Sequence, residues 1–109
     1  MPNAGLDTNL THLGGIIAQV DPVRYTPAGK IVHGFVLEHR SVLLEAGLPR
    51  HSHCRIRVVA IDLAPEQLAL IQPQTGVVVS GFLARERVGR ENRLVLHAQA
   101  VRAAQGKSV

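Results

Sequence analysis

The chain has one cysteine, no tryptophan, one tyrosine and two phenylalanines among 109 residues. Each scarcity excludes something. A lone Cys54 cannot close an intrachain disulfide and suits a reducing compartment. With Tyr25, Phe35 and Phe82 as the only aromatics, the core has to be aliphatic. No apolar run approaches the ~18 residues of a membrane span. The opening MPNAGLDTNL has no basic stretch followed by an apolar one, so no secretory signal is predicted and a cytoplasmic location is expected. There is no nucleophile elbow, no glycine-rich phosphate cradle with its lysine, and no carboxylate pair on one element, so no enzyme activity and no cofactor are expected. His51, His53 and Cys54 are the densest set of metal-ligand types. On a strand the two histidines share a face and the thiol points the other way, so no metal site is expected.

Hydrophobic residues make up 46%, enough for one globular domain. The formal net charge is +4 and the basic residues are almost all arginine, with Lys30 and Lys107 the exceptions. Arginine presents a planar fork of donors that fits phosphate and can stack on bases. A basic chain of this kind points to a polyanion as partner.

The stretch Val77 to Val101 reads as two strands around a polar, arginine-rich loop, a hairpin signature. The loop from Arg85 to Arg93 holds Arg85, Arg87, Arg90 and Arg93 against Glu86 and Glu91. One reading is a cationic tip for phosphate; the other is a solvated turn whose arginines and glutamates pair with each other. Strands are also predicted at Asn9 to Val20, bent at Gly14-Gly15, at Lys30 to Arg40, and at His53 to Ile61. In the last of these, Cys54, Ile56, Val58 and Ala60 alternate with Arg55 and Arg57. Two arginines two positions apart on a strand lie about 7 Å from each other, near one phosphate step of an extended single strand. Ser41 to Ser52 reads as a connection, a long β-hairpin loop with a short helical turn at Val42 to Ala46, and Asp62 to Gln72 as the only helix, with Pro65 in its first turn. Cys54, Phe35 and Phe82 are expected in the core.

Three strands, a short helix and two more strands fit an all-β, five-stranded Greek-key barrel of the OB type, whose helix lies between the third and fourth strands. The domain spans 9–101, between a loose N-terminus, 1–8, and a fraying basic tail, 102–109. In such barrels strands two and three, with the loops joining one to two and four to five, form the binding surface. Arg24, Tyr25, Lys30, Arg40, Arg55, Arg57 and the Arg85 to Arg93 tip all fall on these elements. Tyr25 is the one stacking platform expected for a single strand, and the rest form a cationic track.

Three blocks resemble the primosomal replication protein N (PriB) family and, more distantly, single-stranded-DNA-binding proteins. DPVRYTPAG (21–29) resembles the turn into the second strand. FVLEHRSVLLEAGLPR (35–50), with Cys54, is similar to the family's signature around that strand and its following loop. GFLARERVGRENRLVLHA (81–98) is similar to the last hairpin. The resemblance implies an OB-fold homodimer that binds single-stranded DNA in the primosome, bridging DNA, a PriA-like restart helicase and a downstream loading factor. It also implies DNA contact at Arg40 and Arg50, a basic position at Arg24, and a loose match of the family's loop lysines to Arg87, Arg90 and Arg93. The chain departs where familiar members carry aromatics, with Leu48 and His53, and Glu86 and Glu91 dilute the tip. Phosphate or helicase contact is then expected to carry more of the affinity. An adaptor docking on the helicase and an RNA-binding module are the alternatives.

Overall fold

The computed structural model describes residues 4–105; the N-terminal residues 1–3 and the end of the expected tail, 106–109, lie outside it. Its elements in chain order are β1 (Thr11–Val20), β2 (Arg24–Tyr25), β3 (Ile31–Glu45), β4 (Leu48–Ile61), α1 (Pro65–Leu68), β5 (Gly76–Val88) and β6 (Glu91–Ala103). The sheet order is β1-β5-β6-β4-β3, and pairing of β1 with β3 closes the barrel. This is the expected all-β OB barrel. The two-residue β2, pairing Arg24 with Val32 and Tyr25 with Ile31, is an addition at one edge, so the helix falls between β4 and β5.

Closure depends on β1 serving two partners. Its first half, Thr11 to Ile16, pairs with Gly81 to Gly76 of β5, and its second half, Ile16 to Val20, pairs with Glu38 to Phe35 of β3. Gly14 and Gly15 lie at the crossover, and a Cβ on Gly15 would collide with the Glu38 carbonyl. A bulge at Ala18 turns the strand further. A second bulge at Gln99 curls β6 against β5, and there a Cβ on Gly81 would strike the His97 carbonyl. The core inside the barrel is aliphatic around one ring: Ile17, Phe35, Leu37, Val58, Ile71, Val77, Val79, Leu96 and Val101.

The helix is shorter than its apolar pattern suggests. Asp62 takes a left-handed backbone (φ 59°) and donates its N–H to the Ile31 carbonyl, which delays the start until Pro65. Turns after Leu68, ending with Gln74 at φ 67°, then carry Ile71 into the core. The Gln67 side chain accepts the Val101 N–H at 2.9 Å and ties the helix under the barrel.

The two long hairpins differ most from expectation. Residues 41–52 form neither a loop nor a helical turn. The ladder between β3 and β4 runs unbroken from Val32–Ile61 to Glu45–Leu48. It turns at Ala46-Gly47, both with positive φ, as a type I′ connection requires. The predicted Arg85–Arg93 loop is likewise mostly ladder, paired out to Val88–Glu91 and turning at Gly89-Arg90. Both hairpins thus continue past the barrel as two-stranded arms, and pairing between β4 and β6 is confined to Arg57–Val95 through Ala60–Ala98. Cys54 lies on such an arm and is exposed, correcting its expected core position. Phe35 is core; Phe82 is not, and it lies on the outer face.

Candidate nucleic-acid interface

Strand alternation and register assign each candidate residue to a face. Val32, Gly34, Val36, Glu38 and Arg40 of β3 point outward, opposite Ile61, Val59, Arg57, Arg55 and His53 of β4. Arg24 joins this face through its pairing with Val32, and Arg93 through its place two residues before Val95, the partner of Arg57. The outer face therefore gathers Arg24, Arg40, Arg55, Arg57 and Arg93. From Val32 to Arg40 the row is about 26 Å long at ~3.3 Å per residue, several phosphate steps of a single strand. Tyr25, Arg50 and Arg87 are not brought there. Tyr25 is 67% exposed but pairs with Ile31, on the other side of the sheet from Arg24. Arg50 pairs with Leu43 on the reverse of the first arm, and Arg87 continues the core-facing parity of Val77, Val79 and Leu83. Arg90 sits in the second turn.

Most of these cations already face a carboxylate. Glu38 is the hub of the outer face: its Oε2 accepts from Arg55 at 2.9 Å, while its Oε1 lies 3.8 Å from Arg40 and 4.0 Å from His53 Nε2. Arg57 is held by Asp21, with both side chains half-buried or deeper. Arg50 pairs with Glu45 at 3.1 Å, Arg93 with Glu91 at 3.6 Å and Lys30 with Asp62 at 3.3 Å. Among the described residues Arg24, Arg85, Arg87, Arg90 and Arg102 make no ion pair. Arg87 donates Nε–H to the Gly89 carbonyl at 3.1 Å and stiffens the turn. The arginine-rich tip is thus partly self-paired and partly free.

Three features of this face emerge only from the register. Glu38 and Asp21 are the counterions of the track. Phe82 and His97, cross-strand partners, stack with ring centroids 5.0 Å apart and an interplanar angle of 3°. His97 is also paired with Val59, so the stack borders the outer-face row beside Gly34 and Arg57. The signal for Glu38 and for the stack was present in strand parity, but using it required the two-residue turns that set the register. Between the arms, where β4 and β6 separate, lies a cleft of about 650 Å³ lined by Val36, Cys54, Arg55, Ile56, Arg57, Arg93 and Leu94.

Residues 9–100 match a family described as "Another single-strand binding protein family". The replication restart protein PriB of Vibrio parahaemolyticus is 41% identical over 99 residues, covering 86% of this chain and 96% of the relative. That of Nitrosomonas europaea is 32% identical over 101 residues, covering 93% of each. Among solved structures, priB from Ralstonia solanacearum superposes with a TM-score of 0.75 at 26% identity, over 89% of this chain and 99% of that one. The single-stranded DNA binding protein from Thermus aquaticus shares the fold, with a TM-score of 0.69 at 21% identity over 92% of this chain and 52% of that one.

Proposed function

Since the chain belongs to the single-strand-binding protein family that includes replication restart protein PriB, we propose that it is a non-catalytic, single-stranded-DNA-binding accessory protein of replication restart. It acts in the cytoplasm as a homodimer, and bridges DNA, the restart helicase and a downstream loading factor. The observation that carries the DNA-binding part is that Arg24, Arg40, Arg55, Arg57 and Arg93 gather on one face of the sheet and its arms. A strand lying across it meets phosphate donors along its length and one aromatic surface, the Phe82–His97 stack, on which a base can rest. Arg87 and Arg90 on the second arm reach the backbone from the side.

Phosphates must displace Glu38 to engage Arg40 and Arg55 fully, so binding is modest and strongly salt-dependent. That same pairing favours a second reading, an adaptor for the restart helicase with weak incidental DNA contact. Titrating labelled oligo-dT at two salt concentrations, with and without the helicase, separates the two. DNA binding alone, weakening with salt, supports the first. Negligible binding alone with strong ternary assembly supports the second, and salt-independent binding overturns the interface.

A further inference from the structure

The cleft between the arms has a property separate from the arginine row: both of its walls are unpaired sheet edges. β4 pairs with β3 along its whole length, yet with β6 only from Arg57 to Ala60. β6 pairs with β5 from Glu91, but with β4 only from Val95 to Ala98. Which groups line the gap follows from the turns. In a hairpin closed by a two-residue turn the flanking pair is hydrogen-bonded, and bonded and non-bonded pairs alternate outward. Leu48 therefore bonds to β3, whereas Pro49, His51, His53 and Arg55 direct their backbone polar atoms away from it, along a free edge that runs into the cleft at Arg55. Pro49, lacking an N–H, is tolerated there for that reason. The same alternation on the second arm directs the backbone groups of Asn92 and Leu94 away from β5, along a free edge that enters the cleft at Leu94, and those of Leu83 out of the opposite edge. At Leu83 the N–H and C=O are indeed both taken from outside the hairpin, by the Asn9 side chain at 2.9 and 2.8 Å. That outer edge is capped at Leu83. The cleft edges have no such cap among the described residues.

We infer that the cleft is a strand-addition site, taking an extended peptide segment of a partner protein in the plane of the sheet between β4 and β6. Donors alternate with acceptors along each edge, a pattern that a peptide backbone matches and a nucleic-acid strand, whose phosphates only accept, does not. Val36, Ile56 and Leu94 line the cleft, so the added strand carries apolar side chains where it meets them. Arg55, Arg57 and Arg93 each already face Glu38, Asp21 or Glu91, so it needs no net charge. The occupant is an uncharged, apolar-rich extended segment. DNA lying on the outer face and a peptide lying between the arms use different atoms of the same hairpins.

Cys54, exposed, in the cleft lining and the only cysteine, provides a direct test. A blocked peptide of alternating valine and threonine, its one terminal cysteine held as a mixed disulfide with a small thiol, is exchanged onto Cys54, releasing that small thiol. It competes with a copy that is N-methylated at alternate residues and keeps every side chain. The expected result is a preference of about tenfold or more for the unmethylated peptide, the consequence of losing two or so backbone hydrogen bonds. Slowed amide exchange at His53, Arg55 and Leu94 is expected to accompany it. Equal occupancy by both peptides overturns the proposal, as does protection of those amides without peptide that rises with protein concentration, since a second copy would then hold the edges. The test contains no DNA, so its failure leaves the proposed function untouched.

Discussion

Asp21 and Arg57 meet on the outer face above Gly34, where the ends of both side chains take up the space a Cβ would fill. A Cβ there would lie 2.8 Å from Asp21 Oδ2 and 3.4 Å from the Arg57 guanidinium. Asp21 also donates its N–H to the Gly34 carbonyl at 2.8 Å, which fixes the start of the β1–β2 connection over β3. Arg57 is therefore committed to structure before it is available to DNA. Asp21→Ala and Arg57→Ala are expected to show a coupling of about 1 kcal/mol or more in a double-mutant cycle followed by urea unfolding. Additive single-mutant effects would show that the pair contributes nothing to stability.

Glu38 restrains the arginine row. Glu38→Gln keeps the shape and removes the charge that holds Arg55 and lies near Arg40. Oligo-dT affinity is expected to rise several-fold. The slope of log affinity against log salt is expected to steepen by about 0.7 for each additional phosphate engaged. Fluorescence anisotropy across a salt series reads both quantities, and an unchanged or lower affinity would show that Glu38 does not compete with phosphate.

Arg87 and Arg90 make no ion pair among the described residues and reach furthest along the second arm. Charge reversal of both, Arg87→Glu with Arg90→Glu, is expected to lower affinity and to flatten the salt slope by about 0.7 for each phosphate released. The melting temperature should barely change, because both are exposed surface positions. Arg50→Ala, on the reverse of the first arm and paired with Glu45, is expected to have the smaller effect.

Phe82→Leu keeps apolar bulk and removes the ring that stacks on His97. If a base rests on that stack, affinity falls by about 1–3 kcal/mol, the range for one base–aromatic contact. An unchanged affinity with an unchanged fold would assign the rings to packing alone.

Asn9 stands in for a missing strand, bonding both the N–H and the C=O of Leu83. Asn9→Ala is expected to cost about 1–2 kcal/mol and to speed amide exchange at Leu83. Exchange spreading along the arm from Leu83 to Val88 would show that the cap controls fraying of the whole edge.

Alternation in the sequence determined the main strands and a core that is aliphatic apart from Phe35, because side-chain period and burial are local properties of the chain. It also placed arginine on the elements that line the interface. Residues 41–52 depart from the expected loop although Val42, Leu43 and Leu44 make both faces apolar and Pro49 looks like a breaker; on a two-stranded arm with both edges free, neither matters. Cys54 alternates correctly with Ile56 and Val58, but at its position the sheet has left the barrel and there is no core for it to enter.

The tertiary structure alone decided which cations are free. Glu38 meets Arg55 across strands 17 positions apart in sequence, and Asp21 meets Arg57 over Gly34, from a connection outside the strands. Charge composition is a sum over the chain, whereas pairing depends on register. A single two-residue turn at Ala46-Gly47 sets that register for every residue on both strands of the first arm.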